Sequence, residues 1–228
     1  MADLLRPAER TRRLVLVRHG RTAWNLEGRA QGHTDVSLDD TGRAQAETMA
    51  PYVAAMHPVA LWSSDLARAR ETAAYVESAT GLSARLDPRL REFDVGERAG
   101  LTIAEFAERF PEEHAVWVSG HVTGGVPGAE TVGDVVARVV PALREVLEGT
   151  PWGATSVVVA HGAALRVSMV ALLGWAEGVD LSVRGMDNCG WTTIEEDRAP
   201  GRLRLASYNE TAHPGVHGPD FASDAPVG

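Results

Sequence analysis

Three places in the chain pair a charged or nucleophilic side chain with a short apolar run just before it. Arg18-His19-Gly20 follows Leu14–Val17, Ser63-Ser64-Asp65 and then Arg68 follow Val59–Trp62, and His161-Gly162 follows Ser156–Ala160. Each run reads as a buried strand. In open α/β sheets, ligands sit at the carboxyl ends of strands. Glycine after each histidine lets backbone approach a ligand closely, and a following helix would turn its N–H groups and dipole toward an anion. A lone His-Gly is usually an incidental turn, but two of them with an arginine at a third strand end point to one anion site. A phosphoryl group, with about two negative charges and strong acceptor oxygens, fits it. Arg18 and Arg68 can grip those oxygens in bidentate fashion, His161, if protonated, would be a third donor, and neutral His19 could attack phosphorus. Such transfer depends on positioning and electrostatic clamping. A proton source for the leaving oxygen could be Glu92 or Asp94 in Leu90-Arg91-Glu92-Phe93-Asp94; spacing does not choose between them.

The elements that must position these groups alternate. A helix capped by Asp40 or Thr41 runs to about Met56, and one capped by Ser64 or Asp65 ends near Gly81. Thr102-Ile103-Ala104-Glu105 has the form of a capping box, with Pro111 ending that short helix. Gly120–Gly128 reads as a loop. Val132–Leu147 forms a long amphipathic helix in which Pro141 predicts a kink or a break. A helix over Ala163–Leu173 follows the third strand. Trp191–Glu195 and Leu203–Tyr208 look like a closing antiparallel pair turning at Pro200-Gly201. The expected fold is α/β, a mixed and mostly parallel sheet with helices on both faces. We expect one domain over residues 1–228: a core of about 13–210, a cap insertion of about 96–128, and mobile arms at 1–11 and 211–228.

Composition narrows the chemistry. The chain has 228 residues, 44% hydrophobic and 23% charged, with a formal net charge of −9, an ordinary globular profile with no basic run for nucleic acid. No apolar stretch approaches the ~20 residues of a membrane span, and residues 1–13 lack the apolar core of a secretory signal. The single Cys189 allows no intrachain disulfide; a reducing cytoplasm is expected. There is no lysine, so all 22 basic residues are arginine. That excludes a P-loop and Schiff-base chemistry. Phosphate must be held by arginine, histidine, small polar side chains and backbone.

The motifs resemble those of the histidine phosphatase (phosphoglycerate mutase-like) superfamily. Leu16-Val17-Arg18-His19-Gly20-Arg21-Thr22-Ala23-Trp24-Asn25 with Gln31-Gly32, Ser63 to Ala73, Leu90-Arg91-Glu92 with Gly96 and Gly100, and Val159-Ala160-His161-Gly162 occur in the family's order from about Leu14 to Tyr208. The resemblance implies a phosphohistidine at His19, a phosphate pocket of Arg18, Arg68, His161, Asn25 and the Gly162 amide, Glu92 as proton donor and later base, and no metal or other cofactor. Substrate contacts are expected from Arg21, Thr22, Gln31 and Gly32. Two segments depart from the family pattern, Gly96-Glu97-Arg98-Ala99-Gly100 and Ala129-Glu130-Thr131, and Arg98 could add a substrate contact of its own.

The expected activity is release of phosphate from a small phosphorylated metabolite. Residues 93–130 hold only Arg98 and Arg109 as cations beside Phe106, Phe110, Val116, Trp117 and Val118, which suits a partly apolar group better than a second phosphate, unless these residues merely pack the cap. Gly185 to Trp191, with Leu203, Leu205 and Tyr208-Asn209, resembles more loosely the bacterial glucosyl-3-phosphoglycerate phosphatases. Phosphoglycerate mutase, phosphoserine phosphatase, α-ribazole phosphatase, a broad-specificity phosphatase and a non-catalytic module of the same fold are the alternatives. A metal-dependent hydrolase fits poorly, because His33, His57, His114 and His121 have no standard ligand spacing and His213 and His217 flank Pro214-Gly215. An exposed face on the closing strands could support a homodimer.

Overall fold

The computed structural model describes residues 11–120, 125–176, 178–199 and 201–212. In chain order they form β1 (Thr11–Arg18), α1 (Ala23–Glu27), α2 (Asp40–Ala54), β2 (Ala60–Ser63), α3 (Ala67–Thr80), β3 (Ala84–Leu86), α4 (Ile103–Arg109), α5 (Pro111–Val118), α6 (Val132–Glu148), β4 (Thr155–Ala160), α7 (Gly162–Leu172), β5 (Trp191–Asp197) and β6 (Leu203–Glu210), with short 3-10 turns between. The strands make one sheet in the order β3-β2-β4-β1-β5-β6. The first four strands run parallel, while β5 and β6 are antiparallel to their neighbours. The mixed α/β fold expected from the sequence is therefore present.

Alternation along β1 separates the two faces. Leu14 and Leu16 pack with Val158 and Ala160 of β4 under α6 and α7. Val15 and Val17 pack with Val157 and Val159 under α2 and α3. Ten of the eleven residues of α7 are buried, Arg166 and Ser168 among them, as expected of a helix that is apolar on most of its sides.

The topology also settles whether the three strand ends meet. They belong to β1, β4 and β2, which are adjacent, with β4 in the middle. Arg18 lies opposite Ala160, and Ser63 opposite Val159. His19, Ser64 and His161 thus leave the sheet at one level.

Several local expectations are corrected. Strand β1 begins at Thr11, inside the stretch read as an arm, because Arg12 and Arg13 pair across the sheet with Glu196 at 2.6 Å and Glu195 at 2.7 Å. Asp39, not Asp40 or Thr41, caps α2. Neither Ser64 nor Asp65 caps α3; Asp35, from a distant loop, accepts the Ala67 N–H at 2.5 Å. Pro111 ends α4 but also opens α5, where its fixed φ and missing N–H suit the first helical position. α6 continues unbroken through Pro141. The expected cap carries α4 and α5. Residues 1–10 and 213–228, His121 within the Gly120–Gly128 loop, and Pro200 of the last turn lie outside the described residues.

Candidate active site

His19 begins the loop after β1 and is almost wholly buried. Its backbone is held on every side. The His19 N–H donates to the Ala160 carbonyl, the Asn188 side chain donates to the His19 carbonyl at 3.0 Å, and the next N–H, of Gly20, donates to Thr72 Oγ1 at 3.0 Å. The loop crosses α2 so closely that a Cβ on Gly20 would lie 2.5 Å from the Gly42 carbonyl oxygen. Only glycine fits there.

The imidazole then takes one tautomer. His19 Nδ1 lies 2.7 Å from the Gly20 carbonyl oxygen, which can only accept, so Nδ1 carries the proton. Burial, then Arg68 and Arg18, hold the His19 pKa well below its ordinary value against the opposing Gly20 bond. The ring is neutral, with its lone pair on Nε2. A ring in this state can act as a nucleophile without prior deprotonation.

Arg68, on the first turn of α3, is equally buried. Its Nη1 donates to the Thr34 carbonyl at 2.9 Å, its Nη2 to that of Gly32 at 2.8 Å, and its Nε to His161 Nδ1 at 3.2 Å. Arg18 donates from Nη1 to the Met186 carbonyl and lies against Gly162, where a Cβ would come within 3.2 Å of its Nε. The two rings His19 and His161 stand 5.2 Å apart between centroids.

His161 is not the charged donor entertained from sequence. Because Arg68 Nε donates to Nδ1, that nitrogen is unprotonated, and Nε2–H points to Ser64 Oγ at 2.8 Å. Burial and the Arg68 charge lower its pKa well below the ordinary value. His161 is a neutral donor through Nε2 alone.

Geometry separates the two carboxylates. Glu92 is buried. Its Oε2 accepts from the Ala163 N–H at 3.1 Å, and its Oε1 from the Ala164 N–H at 2.8 Å and the Phe93 N–H at 2.9 Å. It therefore sits on the N-terminus of α7, beside His161, where the helix dipole favours negative charge. Asp94 is half exposed and accepts from the Gly96 N–H in its own loop.

Residues that sequence spacing did not reveal hold Glu92 there. Arg138, on α6, donates to the carbonyls of Arg89, Arg91 and Glu92 at 2.8, 2.7 and 2.7 Å and forks onto both oxygens of Glu130. His33 Nε2 adds a 2.8 Å bond to the Glu92 carbonyl. Arg91 forks onto Asp65 at 2.7 and 2.6 Å, tying this loop to the end of β2; that pair holds the Asp65 pKa below its ordinary value. Burial acts to raise the Glu130 pKa, but Arg138 and the Asp94 N–H outweigh it and the net shift is downward. None of these partners is a helical or strand neighbour of Glu92.

The other expected contacts divide. Thr22 and Asn25 form a capping box for α1, with Asn25 Oδ1 accepting from the Thr22 N–H at 3.1 Å, which fixes the Asn25 amide. Gln31 is buried and accepts from Thr22 Oγ1 at 3.1 Å. Gly32 contributes its carbonyl to Arg68. Arg21 Nε is taken by Asp39 at 2.8 Å. Arg98 stacks on Phe106 and Trp117, 4.7 and 4.6 Å from their centroids, inside the cap's own small core with Val126. Phe106 and Trp117 are buried there and pack against one another; Val116 and Val118 stay exposed. Among the described residues no group of three or more His, Cys, Asp or Glu has a metal-binding arrangement, and no helix is long and apolar enough to cross a membrane.

Comparison with known proteins shows the family. The model of the histidine phosphatase superfamily (branch 1) matches residues 14–211. A glucosyl-3-phosphoglycerate phosphatase of Mycobacterium tuberculosis is 36% identical over 216 residues, covering 89% of this chain and 96% of that protein. Phosphoserine phosphatase 1 of Hydrogenobacter thermophilus is 35% identical over 207 residues, covering 89% and 94%. A solved mycobacterial glucosyl-3-phosphoglycerate phosphatase in complex with VO3 superposes with a TM-score of 0.81 at 35% identity, covering 88% of this chain and all of that one.

Proposed function

The chain belongs to the histidine phosphatase superfamily (branch 1), and we propose that it hydrolyses a small phosphomonoester through a phosphohistidine on His19, without a metal or other cofactor. One observation carries this reading: His19 is neutral, buried between two arginines, and locked by Gly20 in the tautomer that leaves Nε2 nucleophilic.

In the first step Nε2 attacks phosphorus, the bond from phosphorus to the ester oxygen breaks, and the leaving oxygen takes a proton from Glu92. Arg18 and Arg68 bear the charge on the transferring group, with the His161 Nε2–H, the Asn25 amide and the Gly162 N–H as supporting donors. Three backbone N–H groups favour the ionised form of Glu92. The arriving phosphoryl opposes this by like-charge repulsion and so favours the protonated acid. In the second step Glu92, now a carboxylate, takes a proton from water as that water attacks the phosphohistidine. Phosphate leaves and His19 is restored.

Hydrolysis is favoured over phosphoryl return to a sugar acid by the state of the cap. A mutase must hold a second phosphate. Of the two cap cations, Arg98 is stacked between aromatic rings and Arg109 lies 3.4 Å from Glu97. The substrate we propose is glucosyl-3-phosphoglycerate, on the strength of the relatives above, with phosphoserine as the second candidate. We also propose one catalytic domain with residues 96–128 as its cap, a reducing cytoplasmic setting consistent with the lone buried thiol Cys189, and pairing of two copies along β6, one of the sheet's two edge strands.

The test is phosphate release from a panel holding glucosyl-3-phosphoglycerate, phosphoserine and 3-phosphoglycerate, with 3- to 2-phosphoglycerate interconversion measured alongside. Phosphate release should exceed interconversion on every substrate. Interconversion faster than release would replace this reading by a mutase.

A further inference from the structure

Helix α7 carries a cation that the reaction above does not use. Arg166 lies three and four residues beyond Ala163 and Gly162, and residues at that spacing share a helix face. Those two residues touch the site, Ala163 through its N–H on Glu92 and Gly162 against Arg18. Long side chains in a helix lean toward its N-terminus, which in α7 is the end that meets Glu92 and Arg18. Arg166 is 5% exposed, and among the described residues its Nε and Nη2 have no hydrogen-bond partner. Its charge acts on the Tyr208 phenol, which also lies in the fields of Arg18 and Arg184. The Tyr208 hydroxyl itself donates to the Arg184 carbonyl.

A buried guanidinium with two of its three nitrogens unpaired is unfavourable. An incoming anion removes that penalty. The phosphoryl already has Arg18, Arg68 and His161 around it, and Arg166 is about one helical turn, ~5.4 Å, further along α7. The second anion therefore belongs to the rest of the substrate. Planar, delocalised guanidinium is the side chain that pairs best with a carboxylate.

We propose that Arg166 anchors a carboxylate on the leaving portion of the substrate, so that the enzyme selects phosphorylated hydroxy acids over phosphorylated neutral alcohols. The proposal rests on the phosphatase reading and adds to it a residue that sets specificity. It also accounts for a buried arginine on a largely apolar helix.

The experiment compares kcat/KM for 3-phosphoglycerate and glycerol 3-phosphate, which differ in the carboxylate, in the wild-type protein and in Arg166→Met. The wild type should favour the acid by at least tenfold, and Arg166→Met should lower that ratio by at least tenfold. A smaller preference, or an equal loss on both substrates, overturns the proposal and makes Arg166 a phosphate or packing residue. A second arm needs no variant: competitive inhibition of p-nitrophenyl phosphate hydrolysis by 3-phosphonopropionate and by propylphosphonate. The carboxylated inhibitor should bind at least tenfold tighter, and a smaller difference counts against the anchor. Hydrolysis of p-nitrophenyl phosphate by the wild type separates the two failures. If it proceeds while the pairs are not distinguished, the anchor is wrong and the phosphatase reading stands; if it is absent, the phosphatase reading itself fails.

Discussion

Replacing Arg138 by methionine should damage both stability and catalysis, and the structure sets the size of each effect. Arg138 serves three carbonyls and both oxygens of Glu130. Methionine keeps much of the volume and removes every one of these bonds. The Glu92 carbonyl retains His33, but the Glu130 carboxylate loses its cation. Breaking a fully buried ion pair costs about 3–5 kcal/mol. Here the two side chains are 19% and 22% exposed, so water restores part of the loss and ~3 kcal/mol is expected. For a chain of this size that lowers Tm by about 6–12 °C. The loop bearing Glu92 loses its main tie to α6, and a misplacement of ~1 Å can cost about 10²-fold in rate. Because the damage passes through the proton donor, kcat should fall more for an alkyl phosphate than for p-nitrophenyl phosphate. Arg138→Lys should recover part of the stability and little of the rate, since one ammonium cannot serve three carbonyls and a forked carboxylate together. Calorimetry and steady-state kinetics on both substrates read this directly. A lowered Tm with kcat unchanged on both would refute the idea that Arg138 positions Glu92.

Glu92→Gln should slow hydrolysis of alkyl phosphates by about 10²–10⁴-fold and of p-nitrophenyl phosphate far less; equal losses on both would remove Glu92 from the acid role. Stability should rise with pH across the histidine range. His19 and His161 have folded pKa values well below the ordinary 6.5, so below pH 6.5 the unfolded chain binds protons that the folded one does not. Each histidine then destabilises the fold by up to about 1.4 kcal/mol per pH unit, until its own folded pKa is reached. Urea unfolding between pH 6.5 and 5 should show the sum of the two, and His19→Asn should remove about half of the slope; a flat profile would mean that the rings are not held neutral.

The sequence made the three strand ends legible, because buried strands, His-Gly pairs and an arginine at a helix start are local patterns. Their meeting required only that β2, β4 and β1 be neighbours. The tautomers were not legible. They depend on which atom faces the Gly20 carbonyl and on Arg68 reaching His161, 93 residues away. The role of Arg138 was missed for the same reason, since nothing on α6 announces that it will hold carbonyls more than forty residues upstream. Arg98 was offered as a substrate contact because its position departs from the family pattern. The residues that determine its place, Phe106 and Trp117, were visible, but not the fold of the cap that brings them around it. Pro111 shows the limit of a punctuation rule: the residue that stops one helix is equally suited to start the next.

The central claim is that phosphorus is transferred to Nε2 of His19. Rapid quenching of the protein during turnover, under alkaline conditions that preserve phosphohistidine, followed by mass spectrometry of the peptides and phosphorus NMR of the modified ring, tests it most directly. The account predicts one phosphorylated residue, His19, linked through Nε2 because Nδ1 carries the proton held by Gly20, and no label in His19→Ala. Phosphate linked through Nδ1, phosphate on any other residue, or steady turnover by His19→Ala would contradict it.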